Sequence, residues 1–223
     1  MLTIKHGYHH MILLTVTLGF ACPTLAARLA ISDAATGQPL ENAVVEIFHG
    51  DMPPANDANQ VIQREATFTP HVTLIPTGSQ VSFPNRDTTR HHVFSFSPAK
   101  VFELELYLQE TPPPITFDRP GVVVLGCNIH DHMRAFIIVS DAANMVLTGS
   151  DGTARFDELP TGTHRMRVWH PRLEDTHQQW WEGEIAPGES REVMLELQAS
   201  PPPTPEPSRL QQRFRQALEQ QES

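Results

Sequence analysis

Three shortages narrow the field before any motif is read. There are two cysteines in 223 residues, Cys22 and Cys127, too few for a disulfide framework. The longest apolar run, Met11–Ala21, is shorter than the roughly 20 residues a membrane-spanning helix needs. Cations are outnumbered, 16 Lys and Arg against 26 Asp and Glu, and the net charge of −10 argues against nucleic acid as a partner.

The ends of the chain read as processing and linker segments. Lys5, the run Met11–Ala21 and the small residues up to Ala27 have the pattern of a secretory signal peptide over residues 1–27, cleaved after Ala26 or Ala27. An exported, periplasmic protein is expected, with no membrane span after cleavage. A lipid-attachment reading of Cys22 competes, but Gly19-Phe20-Ala21 suits it poorly. At the other end, 199–207 reads as a stiff polyproline linker. Residues 208–223 read as a short helix-forming tail with Leu210, Phe214 and Leu218 on one face, expected to be frayed and solvated more often than docked on a partner.

Cleavage would leave Cys127 as the sole thiol. In an oxidising compartment a lone thiol must be buried or committed to chemistry. Its surroundings suggest commitment: the heptad Cys127-Asn128-Ile129-His130-Asp131-His132-Met133 gathers a thiolate, an imidazole and a thioether, the soft ligand set that selects copper. The plain alternative is an inert core cysteine. A fourth ligand is available upstream, where His91-His92 follows the polar turn from Asn85 to Arg90. Neighbours on a strand point to opposite faces, so only one of the two can reach a metal on Cys127.

Two His, one Cys and one Met form the type 1 copper set, a trigonal His2Cys plane with a weak axial Met. The motif Cys127-x2-His130-x2-Met133 resembles the short ligand loop of the amicyanin-like cupredoxins, and Asn85-Arg86-Asp87-Thr88-Thr89-Arg90-His91-His92-Val93 resembles their upstream ligand segment. The resemblance covers roughly 61–141 and implies His91, Cys127, His130 and Met133 as ligands to one copper ion. His92 falls where the family usually has Asn. No aromatic residue precedes Cys127 where one is frequent, and Gly126 suggests a close backbone approach.

The rest of the chain reads as all-β. Residues 28–50 look like a β-hairpin turning at Thr36-Gly37. Residues 51–141 read as an antiparallel Greek-key cupredoxin sandwich, with Phe102, Leu104 and Leu106 alternating against wet Glu103, Glu105 and Tyr107. Residues 142–198 suggest a second small β-sandwich with a further hairpin at Pro187-Gly188. Its pattern resembles the carboxypeptidase regulatory-like, transthyretin-like class, split so that Asp33–Val45 supplies one half and Asp151–Gly162 the other. One expectation is therefore a discontinuous sandwich, 28–50 with 142–198, into which the copper domain is inserted. The other is a hairpin belonging to the copper domain and a contiguous second domain.

The cupredoxin resemblance implies a one-electron carrier between redox protein partners, with His130 as the exit, and the remaining histidines suggest no second copper centre and so no enzymatic role. The alternatives are an envelope copper-delivery module and a metal-free scaffold. Arg86, Arg90 and Arg134 near the ligand segments would suit an acidic partner, though ordinary solvated surface explains them as well.

Overall fold

The computed structural model describes residues 25–199; residues 1–24 of the expected signal peptide, most of the proline linker and the helical tail lie outside the described residues, while Leu25–Ala27, also expected in the signal peptide, belong to the first strand. Among the described residues, seventeen strands occur, beginning β1 Leu25–Asp33, β2 Val44–Phe48, β3 Asn59–Gln60, β4 Ile62–Arg64, β5 Thr67–Thr69, β6 Val72–Pro76, β7 Gln80–Ser82, β8 His91–Ser97 and β9 Lys100–Tyr107. Then come β10 Ile115–Thr116, β11 Gly121–Gly126, β12 Arg134–Ser140, β13 Asn144–Leu147, β14 Thr153–Leu159, β15 His164–Trp169, β16 Trp181–Ile185 and β17 Ser190–Leu195. The described residues are all-β, and no helix among them is long and apolar enough to cross a membrane.

Residues 25–50 and 142–197 share two sheets, β14-β1-β17 and β13-β2-β15-β16. The layers close on one core: Leu29 and Ile31 from the first meet Val45, Ile47, Met166 and Val168 from the second. β1 and β2 are therefore not a hairpin. Only the isolated bridge Ser32–Pro39 joins their connection, because each strand turns its apolar face across the core toward the other. The Pro187-Gly188 turn behaves alike, since β16 and β17 also lie in different sheets. Buried Thr148 ties the halves together: its hydroxyl donates to Leu40 O and accepts the Ala43 amide at 2.9 Å. The chain leaves and re-enters this sandwich at adjacent points, for His49 bonds the Asn144 side chain.

Between those points, the five-stranded sheet β6-β12-β11-β8-β9 packs over β10-β7-β3 and the β4-β5 ribbon. Phe83, Val93, Phe117, Val123, Leu125 and Ile137 fill the core between them. The ladders are not all antiparallel as expected. β6 runs parallel to β12, and β3 parallel to β7, since each pair is joined by a long crossover instead of a tight turn.

The runs Gly121–Gly126 and Arg134–Ser140 look uniformly apolar because both faces are covered. Val123, Leu125, Ala135 and Ile137 enter the inner core, while Val122, Phe136 and Ile138 meet Trp169, Val44 and Leu173 of the other sandwich. In β6, Val72 and Leu74 join this second contact. A register irregularity between His91 and Val93 also corrects the reading of β9. Past the bulge the faces exchange, so Tyr107 is buried and Leu106 is 50% exposed.

Candidate metal centre

The upstream turn is built from its own polar side chains. Asn85 Oδ1 accepts the Asp87 amide at 2.8 Å, and Asn85 Nδ2 donates to Thr89 O at 3.0 Å and to Tyr107 O at 2.8 Å. This fixes the start of β8 against β9. Asp87 in turn accepts the Glu65 and Ala66 amides at 2.6 and 3.0 Å. Both donor residues have φ of 51°, a left-handed conformation uncommon for residues with a side chain, which aims two successive N–H groups at one carboxylate. Burial acts to raise the Asp87 pKa, but these amides and His91 outweigh it and hold the carboxyl below its usual value.

His91 is fully buried, and its Nε2 faces Asp87 Oδ2 at 2.5 Å. A proton on Nε2 satisfies the carboxylate and leaves the Nδ1 lone pair free, the arrangement by which outer partners orient a metal-binding imidazole. That Nδ1 lies 3.9 Å from Cys127 Sγ. Cys127, at the end of β11, is 6% exposed, and His130 Nδ1 approaches the same sulfur at 4.0 Å. The three donor atoms lie within 4.8 Å of one another. The loop holds its shape through the Met133 amide, which donates to His130 O at 2.9 Å, and returns Met133, 2% exposed, to the packed cluster that contains Cys127.

The donor set fits a metal ion. Bonds of about 2.0–2.3 Å to nitrogen and thiolate place trigonal donors roughly 3.5–4 Å apart, and the two sulfur–nitrogen separations match. Among the described residues, this is where three such side chains converge.

His92 points away from the cluster. Its Nε2 meets Glu103 Oε1 at 2.8 Å and its ring packs on Phe94. His132 is exposed, edge-on to His130 with ring centres 5.9 Å apart. His170, beside Trp169, serves packing: Nε2–H donates to Glu41 O, and Nδ1 accepts the Arg172 amide.

Two residues were not assigned to the centre by the sequence. Tyr107 pairs with His91 across the strands; its hydroxyl donates to Phe83 O at 2.7 Å and accepts Gln63 Nε2 at 2.5 Å, and burial pushes its phenol up to about 12. Phe94 supplies from the adjacent strand the aromatic ring missing before Cys127. A Cβ on Gly126 would lie 2.9 Å from Phe94 Cζ, so the glycine makes room for the ring. The only available sequence signal was Gly126 itself.

No family model and no curated protein matches this chain. Among solved structures, a copper-containing nitrite reductase from Thermus scotoductus SA-01 is 25% identical over 50% of this chain, with a TM-score of 0.35; the chain spans 28% of that enzyme's length. A reduced, Cu(I) form of an amicyanin variant is 18% identical over 43% of this chain and 98% of its own, with a TM-score of 0.35. A purple cupredoxin from Nitrosopumilus maritimus is 22% identical over 37% of this chain and 99% of its own, with a TM-score of 0.32. Scores this low add no argument to the donor geometry.

Proposed function

We propose that this chain is an exported type 1 copper protein of the cupredoxin class, carrying single electrons between redox protein partners in the periplasm. The observation that carries the reading is the convergence of His91 Nδ1, Cys127 Sγ and His130 Nδ1, with Met133 buried in the same cluster. One copper ion held there supplies a Cu(II)/Cu(I) couple. Cys127 is the thiolate ligand, and Asp87 keeps the His91 tautomer that presents Nδ1. Met133 would supply a weaker thioether donor from the same cluster. His130, half-buried, is the ligand nearest solvent and the exit for an electron.

Rigidity supports a redox role, because a site that must serve two oxidation states works best when its ligands do not move. The strands that end just before Cys127 and begin after Met133 are packed on both faces. In this reading residues 28–50 and 142–198 form one sandwich into which the copper domain, 51–141, is inserted, and the outer sandwich braces the sheet that bears the ligand loop.

The test is a visible and EPR titration of the chain with Cu(II), beside Cys127→Ser. An intense thiolate-to-copper band that bleaches reversibly with reductant, and is wholly lost in the variant, is expected. A colourless complex that survives loss of Cys127 would overturn the electron-carrier reading in favour of copper as cargo.

A further inference from the structure

The outer face of the five-stranded sheet is covered by the second sandwich over β6, β12 and β11 but open over β8 and β9. There Phe96 is 79% exposed, its cross-strand partner Val101 65%, and Ile129 of the ligand loop 49%. With Leu106, 50% exposed at the other end of the strand pair, they leave several large apolar side chains uncovered along one face, a feature that marks interaction sites. This face is connected to the metal centre. The rings of His92, Phe94 and Phe96 follow one another along β8 with centres 5.4 and 5.2 Å apart, and Phe94 rests on Gly126, the residue before Cys127. Beside it an open cleft of about 490 Å³ runs from Phe96 to Cys127. At the cleft wall, His177 of the second sandwich is hydrogen-bonded to Ser97 at 3.0 Å.

The surface has a sign. Exposed Glu103 and Glu105 stand on β9, Asp131 lines the cleft, and the chain carries a net charge of −10. Of the nearby cations, Lys100 is paired with Asp118 at 3.3 Å, while Arg134 keeps its charge at the cleft wall, over the Phe136 ring at 4.9 Å, and Arg90 lies exposed just before β8. An apolar centre with an acidic border suits a partner with the reverse border, and such complementarity steers encounter and sets orientation.

We propose that this face of β8 and β9 is the docking surface for a basic redox protein, lateral to the exposed edge of His130. Its redox partner is inferred from the electron-carrier reading, but docking itself is measured without copper. A positively charged c-type cytochrome is titrated, at low salt, into the 15N-labelled chain with and without Cu(II). Amide shift changes should cluster on residues 94–105, fade as salt is raised, and be the same in both metal states. Phe96→Ser and Glu105→Lys, both at exposed positions, should each weaken binding about tenfold, while Glu182→Lys, the same charge change on an exposed strand of the other sandwich, should leave it unchanged. Shifts confined to the 127–133 loop, equal weakening by Glu182→Lys, or no shifts would each overturn the proposal. A missing blue band with docking intact would instead count against the copper reading alone.

Discussion

Two halves of one sheet face make the clearest comparison in this protein. Over β11 and β12, the outward residues Val122, Phe136 and Ile138 are buried under Trp169, Val44 and Leu173. Over β8 and β9, outward residues of the same chemistry, Phe94, Phe96 and Val101, remain half-buried or exposed. The first half is structural mass that holds the ligand loop still; the second is free to meet another molecule. Apolar character on a strand therefore does not say whether the face will be covered, and the answer depends on where a separate sandwich sits.

Substitutions at matched positions can break this comparison. Trp169→Ala, at a fully buried ring in the contact between the sandwiches, should have the largest effect, a loss of about 3–5 kcal/mol in a urea titration. If it cost no more than a surface change, the covered half would not be a packed contact at all.

The covered side should also respond to acid. Burial lowers the His170 pKa to about 4, below the value near 6.5 of an unfolded histidine. The unfolded chain therefore binds this proton first as pH falls. The associated stability is fully present above pH 6.5, is lost progressively toward pH 4, and amounts to at most about 3 kcal/mol. Urea midpoints between pH 7 and 4.5 should fall less steeply in His170→Gln; parallel slopes would show that His170 is not held neutral by the fold.

At the boundary between the halves, Gly126→Ala should cost about 1–3 kcal/mol by overpacking against Phe94, and Phe94→Ala in the same chain should relieve part of it, a coupling readable in a double-mutant cycle. Strict additivity would mean that the ring does not rest on the glycine. The smallest effect belongs to the open half. Phe96→Ala should change stability by no more than about 0.5 kcal/mol, leaving its consequence to binding.

Much of the centre was legible because its chemistry is local. Cys127, His130 and Met133 lie within one heptad, and a loop that short between two strands must bring its side chains together. His91 was nominated by its segment, and opposite pointing of strand neighbours left one of His91 and His92 at the cluster. The turn residues Asn85 and Asp87 were legible as a turn; the Asp87 contact to His91 Nε2 was not, since it needs the Glu65 and Ala66 amides from a separate strand pair. Tyr107 was assigned the wrong face because a bulge exchanges the faces of β9, and an alternation pattern cannot register one inserted residue. Turns at Thr36-Gly37 and Pro187-Gly188 were found, but a reversal within one sheet and a step to the facing sheet use the same turn residues.

What the sequence determined by itself was the strand-forming alternation, the turns, the acidic balance and a compact soft donor set, all properties of neighbours along the chain. What only the tertiary structure decided was the company each element keeps: β1 and β2 in opposing sheets, Phe94 resting on Gly126, and one half of a sheet face covered while the other stays open. The physical reason is that burial and metal-donor convergence depend on distances between segments far apart in sequence, and packing sets those distances.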